Sequence, residues 1–467
     1  MQQIKFGTDG WRAIIAQEYT VDNVKRVADA TAKWLLQKGA SQSVVIGNDC
    51  RFGGRLFSET VTRIMAYNGI KVFLAENDFV STPMISLGAV KLNADQGIII
   101  TASHNPAGYN GYKLKGSYGG PTTPKEIEIV EALIQDKVDY PMLSVSEYQK
   151  QGLVEYVDLE TMYCDHAEAN FDLEAIRQSP MNFAYDAMYG AGQNVMKRLL
   201  PDVDRLHCEH NPGFNGQAPE PIHKNLQEFS DMIKISGDIA CGLATDGDAD
   251  RIGLYDSKGG FVDSHHIILL LINYLHLYKN LTGKVIFTFS CSQKIKKLCE
   301  HYGLEYDVKK IGFKYICEDM ITMDVLVGGE ESGGIAIKGH IPERDGIWMG
   351  LALWEFMVKT GRSIEELIYE IYAIVGTFAV ERLDLHLSEE KKQQIIKSCK
   401  EGKYTSFNSL IVEQVEDLDG FKYHLGNEEW VMLRPSGTEP VLRVYCEAAT
   451  SKRSFEILKM VESYIMQ

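Results

Sequence analysis

The sequence predicts the α/β class, on three observations. Short apolar, β-branched runs alternate with helical periodicities through most of the chain. A length of 467 residues suits about three domains, or four small ones. Apolar content of 45% with 24% charged residues is that of a globular chain able to bury a large core. Strands alternating with helices argue for a mostly parallel sheet in the first domain.

Phe6-Gly7-Thr8-Asp9-Gly10-Trp11-Arg12 is a Gly-punctuated loop that places Arg12 beside flexible backbone, and it reads as a turn into the first helix. Val21, Val24, Val27, Ala28, Thr31, Trp34 and Leu35 then recur at helical spacing, closed by Gly39. A strand over Val44–Asn48, a helix over Ser58–Asn68 stopped by Gly69 and a strand over Lys71–Leu74 follow. Thr82-Pro83 makes an N-cap and first-turn pair for a helix to Leu92. The run Gly97–Ile100 is a buried strand that delivers Thr101-Ala102-Ser103-His104-Asn105-Pro106 to a loop at its carboxyl end, where open α/β sheets bind ligands. Ser103 is the candidate nucleophile. Lys125–Asp136 is a charged amphipathic helix, and the mixed stretch from Tyr140 to Tyr156 holds the first boundary.

The second block has a strand at Phe183–Asp186 entering a Gly-rich turn, then an apolar strand at Ile239–Ala244 that empties into Thr245-Asp246-Gly247-Asp248-Ala249-Asp250-Arg251. Three carboxylates at alternate positions, separated by Gly and Ala, can converge on one hard cation. An EF-hand does not fit, because its sixth position would be Arg251 instead of Gly and its twelfth Ser257 instead of Glu. The third block has an apolar helix from His266 to Leu277, a strand at Lys284–Phe289, a helix at Gln293–His301 and a strand at Tyr306–Ile311. His265, His266 and His276 read as structural. Lys309-Lys310-Ile311-Gly312-Phe313-Lys314 sets cations at a strand end. The strand Val325–Gly328 runs into Gly329-Glu330-Glu331-Ser332-Gly333-Gly334, whose carboxylates and hydroxyl suit a polyol. Helices at Ile347–Lys359 and Ile364–Ile374 and a linker at Gly376-Thr377 end the block. The last segment holds a strand at Phe378–Leu385, a helix at Ser388–Lys400 and strands at Trp430–Leu433 and Val441–Cys446. Between those two strands lies Arg434-Pro435-Ser436-Gly437-Thr438-Glu439-Pro440, a guanidinium with hydroxyls and Gly-released backbone suited to phosphate. The expected domains are 1–155, 156–260, 261–375 and 376–467.

A net charge of −16 argues against nucleic acid or an anionic membrane as partner. Nine cysteines without a Cys-x-x-Cys pair suggest free thiols in a reducing compartment. The start lacks an apolar signal core, and the longest apolar run, Ile267–Ile272, is too short to span a bilayer. The expectation is a cytoplasmic enzyme, monomer or homodimer, with a small-molecule partner.

Thr101–Pro106 with Asn110-Gly111-Tyr112-Lys113, the acidic loop at 246–251, the Gly-Glu-x-Ser-Gly loop at 329–333 and the loop at 434–438 resemble, in order, the four active-site loops of the α-D-phosphohexomutase superfamily. The resemblance implies three α/β domains with mixed sheets and a smaller C-terminal α+β domain around a central cleft. It also implies a phosphoryl group on Ser103 and Mg²⁺ at Asp246, Asp248 and Asp250 together with Ser103. Arg12 and Arg251 would lie beside phosphate. Lys113 would sit at the family's lysine position, and Glu330 and Ser332 would take sugar hydroxyls. A strand-end lysine (Lys310 or Lys314) and Arg434, Ser436, Gly437 and Thr438 would hold the non-reacting phosphate.

The implied activity interconverts hexose 1- and 6-phosphates through a 1,6-bisphosphate, with glucose 1,6-bisphosphate as activator; His104, Lys113 and Arg12 are the candidate general bases. Gly334 stands where many members have His. The Glu-Glu-Ser form is closer to phosphoglucomutases, so glucose is expected, with mannose as a further substrate and a phosphoglucosamine mutase as the alternative. A Mg²⁺-dependent phosphatase using Asp246 or Asp248 as nucleophile would leave Ser103, Glu330 and Arg434 unexplained.

Overall fold

A computed structural model of the protein describes residues 3–39, 42–436 and 441–467. The chain forms two compact units, Met1–Gly283 with Gly312–Leu367, and Lys284–Ile311 with Ile368–Gln467. The expected third domain at 261–375 is therefore shared between them.

The first unit opens with β1 (Trp11–Ile14), α1 (Val21–Lys38), β2 (Ser43–Asn48), α2 (Gly54–Tyr67), β3 (Lys71–Ala75), α3 (Thr82–Lys91), β4 (Gln96–Ile100), β5 (Tyr109–Gly116) and β6 (Val154–Val157). These strands make one sheet in the order β1-β5-β4-β2-β3-β6. Strands β4, β2, β3 and β6 are parallel, whereas β5 adds antiparallel to the β4 edge and β1 antiparallel to β5. The sheet is thus mixed. The amino-terminal loop does not run straight into α1; Trp11 and Ala13 bury against the core and make β1. Helix α2 starts four residues earlier than its apolar periodicity, after left-handed Gly53. Ser81, and not Thr82, caps α3 by accepting the Met84 amide. Strand β6 crosses the expected boundary at 155.

A second sheet has the order β11-β10-β9-β7-β8, built from β7 (Asn182–Asp186), β8 (Asp204–Leu206), β9 (Ile239–Thr245), β10 (Ile252–Tyr255) and β11 (Phe261–Val262). Strands β9 and β10 are antiparallel, with Thr245 opposite Ile252. The strand Val325–Gly329 likewise returns antiparallel as Ile335–Ile337. Each of the three expected loops in this unit therefore turns back as a strand.

In the second unit, Lys284–Thr288 and Tyr306–Lys309 pair in parallel. Five further strands (Ala379–His386, Val441–Ala448, Trp430–Pro435, Phe421–His424 and Gln414–Glu416) form an antiparallel sheet in that order. Phe289, Trp430, Met432 and Tyr445 share one core cluster. All nine cysteines are free thiols. Among the described residues no helix is long and apolar enough to cross a membrane.

The first core is centred on strand side chains such as Ile98, which is 0% exposed, whereas Ile235 is 85% exposed. Ile98→Ala will destabilise the first unit by about 2–5 kcal/mol. Ile235→Ala will change stability by less than about 0.5 kcal/mol. Urea unfolding followed by tryptophan fluorescence measures both, and equal losses would contradict the assigned core.

Candidate active site

Strands β2 and β4 end side by side, with Asn48 opposite Ile100, so the chain leaves the sheet at both places together. Ser103 is 1% exposed and holds a left-handed backbone with φ 52°, which is uncommon outside glycine. Its amide donates to Thr101 Oγ1 at 2.9 Å, its hydroxyl donates to Asp246 Oδ2 at 2.8 Å, and Oγ lies 3.2 Å from His104 Nδ1. Arg12, on β1, donates to Asn105 Oδ1 at 2.7 Å. Burial, and then the cations Arg251, Arg12, Lys113 and Arg51, push the His104 imidazole well below its ordinary pKa.

The acidic loop closes the β9–β10 hairpin. Asp246 Oδ1 accepts the amides of Asp250 at 3.0 Å and Arg251 at 3.1 Å. At Gly247 a side chain is excluded, because a Cβ would stand 2.5 Å from the Ser103 carbonyl oxygen. Asp246, Asp248 and Asp250 are buried and each offers an oxygen within 4.8 Å of the others. Among the described residues, Asp248 Oδ1 and Asp250 Oδ1 are buried without a hydrogen-bond partner. Such oxygens are costly to leave unpaired, and three hard donors at this separation fit a divalent cation that prefers oxygen.

Behind them, the Lys113 ammonium reaches Asp248 at 2.7 Å, Asp9 at 2.9 Å and Asp250 at 3.1 Å. Arg344 joins Asp250 at 2.6 Å and also pairs with Asp9. The Thr82 hydroxyl donates to Asp248. Burial alone would lower the Lys113 pKa, but the carboxylates of Asp248, Asp250 and Asp9 hold it above the ordinary lysine value. Asp246 moves the other way: burial and the charges of Asp248 and Asp250 raise it well above the carboxylate range.

Glu330–Gly334 closes the third hairpin. Arg251 bridges to Gly334 across the two loops. A Cβ at Gly334 would meet Arg344 Cδ at 2.5 Å, so Arg344 fills the space that a histidine there would need. Glu330 Oε1 accepts the Gly312 amide at 2.9 Å, and burial raises its carboxyl to about 7. Ser332 is half-buried on the same loop, and the Ser264 hydroxyl donates to the Glu331 carbonyl. Of the two strand-end lysines, Lys314 lines a pocket of about 160 Å³ with Thr8, Asp9 and Gly10, while Lys310 is exposed and belongs to the second unit.

In that second unit, Arg434 Nη2 donates to Asp419 Oδ2 at 3.3 Å, which also accepts the Ile311 amide at 2.9 Å. Ser436 donates its amide to the Val441 carbonyl at 2.9 Å. Gly437 and Thr438 lie outside the described residues.

The structure thus gathers Ser103, His104, Arg12, Lys113, Arg251, Asp246, Asp248, Asp250 and Glu330 around one set of loops. Sequence reasoning missed Asp9, Thr82 and Arg344 there. Asp9 sat inside the quoted Gly-rich motif, and Glu343-Arg344-Asp345 is a charge run entering the apolar helix Gly346–Thr360; either was a usable signal.

Sequence profiles of the phosphoglucomutase/phosphomannomutase family match in order: α/β/α domain I at residues 3–140, α/β/α domain II at 161–259, α/β/α domain III at 263–375 and the C-terminal domain at 390–462. The phosphoglucosamine mutase of Methanocaldococcus jannaschii is 30% identical over 90% of both chains. The phosphoglucomutase/phosphomannomutase of Thermococcus kodakarensis is 27% identical over 97% of both. A crystal structure of a "putative phosphomannomutase" from Thermus thermophilus superposes with a TM-score of 0.88 at 32% identity, covering 100% of each chain. With all four domain profiles matched, the chain belongs to the phosphoglucomutase/phosphomannomutase family of α-D-phosphohexomutases, enzymes that move a phosphoryl group between positions of a sugar.

Proposed function

We propose that the chain interconverts the 6- and 1-phosphates of a hexose through a phosphorylated Ser103, with glucosamine phosphate as the first substrate to offer. The observation that carries this reading is the Ser103 hydroxyl, 2.8 Å from Asp246, beside the unpaired oxygens of Asp248 and Asp250. The glucose preference expected from Glu330-Glu331-Ser332 is not confirmed, and the name phosphoglucosamine mutase recurs among similar proteins. Glucose or mannose phosphate is the second reading, supported by the Thermococcus and Thermus names.

The free hydroxyl of a bound sugar monophosphate attacks the phosphorus on Ser103. The bond from phosphorus to serine oxygen breaks, the sugar hydroxyl gives up its proton, the departing serine oxygen takes up a proton in its place, and a bisphosphate forms. After the sugar turns over, the serine oxygen takes the other phosphoryl and the isomeric monophosphate leaves. Asp246 orients the serine oxygen, while Arg12 and Arg251 offer charge to the transferred group. Glu330 and Ser332 take sugar hydroxyls. Asp246, Asp248 and Asp250 would hold Mg²⁺, which when bound polarises the phosphoryl and offsets its developing charge. Glucose 1,6-bisphosphate would load Ser103 and act as activator.

Three outcomes are expected. By ³¹P NMR, with Mg²⁺ and a trace of the bisphosphate, the protein isomerises glucosamine 6-phosphate, or failing that glucose or mannose phosphate, and Ser103→Ala lowers the rate by about 1,000-fold or more. Release of inorganic phosphate without isomer would favour the phosphatase instead. Titration with Mg²⁺ raises the thermal unfolding midpoint of the wild type, by about 2.7 kcal/mol of stability at a hundredfold excess over Kd. The same titration leaves Asp248→Asn nearly unmoved; an equal rise in both proteins would place the metal elsewhere.

The third outcome concerns pH. Glu330 accepts from sugar hydroxyls most strongly when ionised, since protonation converts one oxygen to a donor, and its carboxyl is raised to about 7 by burial, so acceptor strength is lost as pH falls through 7. The kcat/KM of wild type relative to Glu330→Gln should then drop about tenfold from pH 8 to pH 6, since one pH unit below the pKa leaves about a tenth ionised. A flat ratio would remove Glu330 from the sugar contacts.

A further inference from the structure

The turn that carries Ser103 is held from beneath by one guanidinium. Arg51 lies just past the end of β2 and is 3% exposed. Its Nη2 donates to the carbonyls of Ser103 at 2.5 Å and Asn105 at 2.6 Å. Its Nη1 donates to those of Pro106 at 2.9 Å and Tyr109 at 3.0 Å. Its Nε stands 3.3 Å from Asp49 Oδ2, and the ring of Phe214 covers the guanidinium at 4.9 Å. Asp49 also accepts the Thr101 hydroxyl at 2.5 Å and the Arg51 amide at 2.9 Å. Thr101 Oγ1 in turn accepts the Ser103 amide at 2.9 Å. Both backbone groups of Ser103 are thereby tied to the end of β2.

Of these four carbonyls that of Ser103 is fully buried, and a buried carbonyl must find a donor. A guanidinium answers this, because its donors lie in a fixed plane and diverge from one centre. The left-handed backbone of a non-glycine residue is sparsely populated and persists where its surroundings over-determine it. The register supplies that frame: Asn48 pairs with Ile100, and the Asp49 amide donates to the Ile100 carbonyl at 3.0 Å, which sets Asp49 beside Thr101.

We propose that Arg51, braced by Asp49 and Thr101, is the positioning residue of the Ser103 hydroxyl, fixing the left-handed turn that aims Oγ at Asp246. Its Nη donors are all engaged by loop carbonyls, so it acts through Ser103. The inference rests on Ser103 being the phosphoryl carrier. Arg51→Lys separates geometry from charge, because lysine keeps the cation but sends its donors from a single nitrogen that cannot serve four carbonyls. Thr101→Val, nearly isosteric, loosens the same frame from the other side and stands in if the lysine variant does not fold.

Two measurements on the full chain test it. Hydrogen exchange, read by mass spectrometry, should speed up about tenfold or more over residues 102–110 in both variants while other peptides match the wild type. With whichever of glucosamine 6-phosphate or glucose 1-phosphate the wild type turns over, kcat should fall about 100-fold in Arg51→Lys and about tenfold in Thr101→Val, with KM within about threefold of wild type. A merely structural role would lower stability or move KM, and would not give this split. Unchanged exchange across the turn in both variants overturns the proposal, and so does full kcat in a variant whose turn has loosened. If the wild type turns over no sugar phosphate, it is the mutase reading that fails, and the exchange result alone then decides whether Arg51 frames the turn.

Discussion

The site depends on one buried ammonium. Lys113 is enclosed by the carboxylates of Asp9, Asp248 and Asp250, and Arg344 stands against two of the same three. Charges withdrawn from water survive only when paired and hydrogen-bonded, and removing one partner of such a set strands the others. Asp246 differs from its two neighbours. Among the described residues its oxygens meet a hydroxyl and two backbone amides but no cation within ion-pair distance, and it is the carboxyl driven well above its ordinary range. The uncompensated corner of the cluster is therefore the corner that touches Ser103. A divalent cation added to these three carboxylates would supply charge where the protein leaves it short.

The same economy explains why the sheets are mixed. A loop at the carboxyl end of a parallel strand is pinned at one end only, with its far side leading to a helix. Here the chain returns antiparallel after Ile100, Thr245 and Gly329, so each loop is clamped between two hydrogen-bonded strands. Short clamped loops force local backbone into uncommon conformations, and two of the three hold a non-glycine residue there, φ being 52° at Ser103 and 58° at Ala249, while the third uses glycine at 85° (Gly333). The strain is borne by ladders on both sides, which keeps a buried hydroxyl and three carboxylates aimed at each other.

The strands that carry hydrophobic runs were legible in the sequence, and so was the position of the three loops that follow them in the first unit. The return strands were not. Strand β5 contains Asn110, Lys113 and Lys115, a polar composition that hides its period of two. Tyr112 and Leu114 bury against the first core, and the two lysines alternate with them onto the other face toward Asp9. Those lysines look like solvated residues until their partners arrive from residue 9 and from Glu343, more than a hundred positions away in one direction or the other. Arg51 was illegible for the same reason: its partners are carbonyls, which leave no mark in the sequence. Thr82 was read as a helix cap, yet its hydroxyl goes to Asp248 while Ser81 takes the capping role. In each case tertiary pairing decided what local chemistry left open.

Arg344 separates the sequence of the loop at 329–334 from its chemistry. A residue with a side chain at 334 and Arg344 in its present place exclude each other, because the added Cβ would overlap the arginine's Cδ. The cation beside this loop therefore comes from ten positions downstream, across the Ile335–Ile337 strand, and its charge is shared with Asp9 and Asp250. A histidine at 334 would instead present a side chain whose charge follows pH. The Gly334–Arg344 pairing thus couples the loop at 329–334 to the acidic loop, a coupling reinforced by the bridge from Arg251 to Gly334. Comparing the loop motif alone across the family omits that coupling, so the Glu-Glu-Ser motif by itself is a weak guide to which hexose is bound.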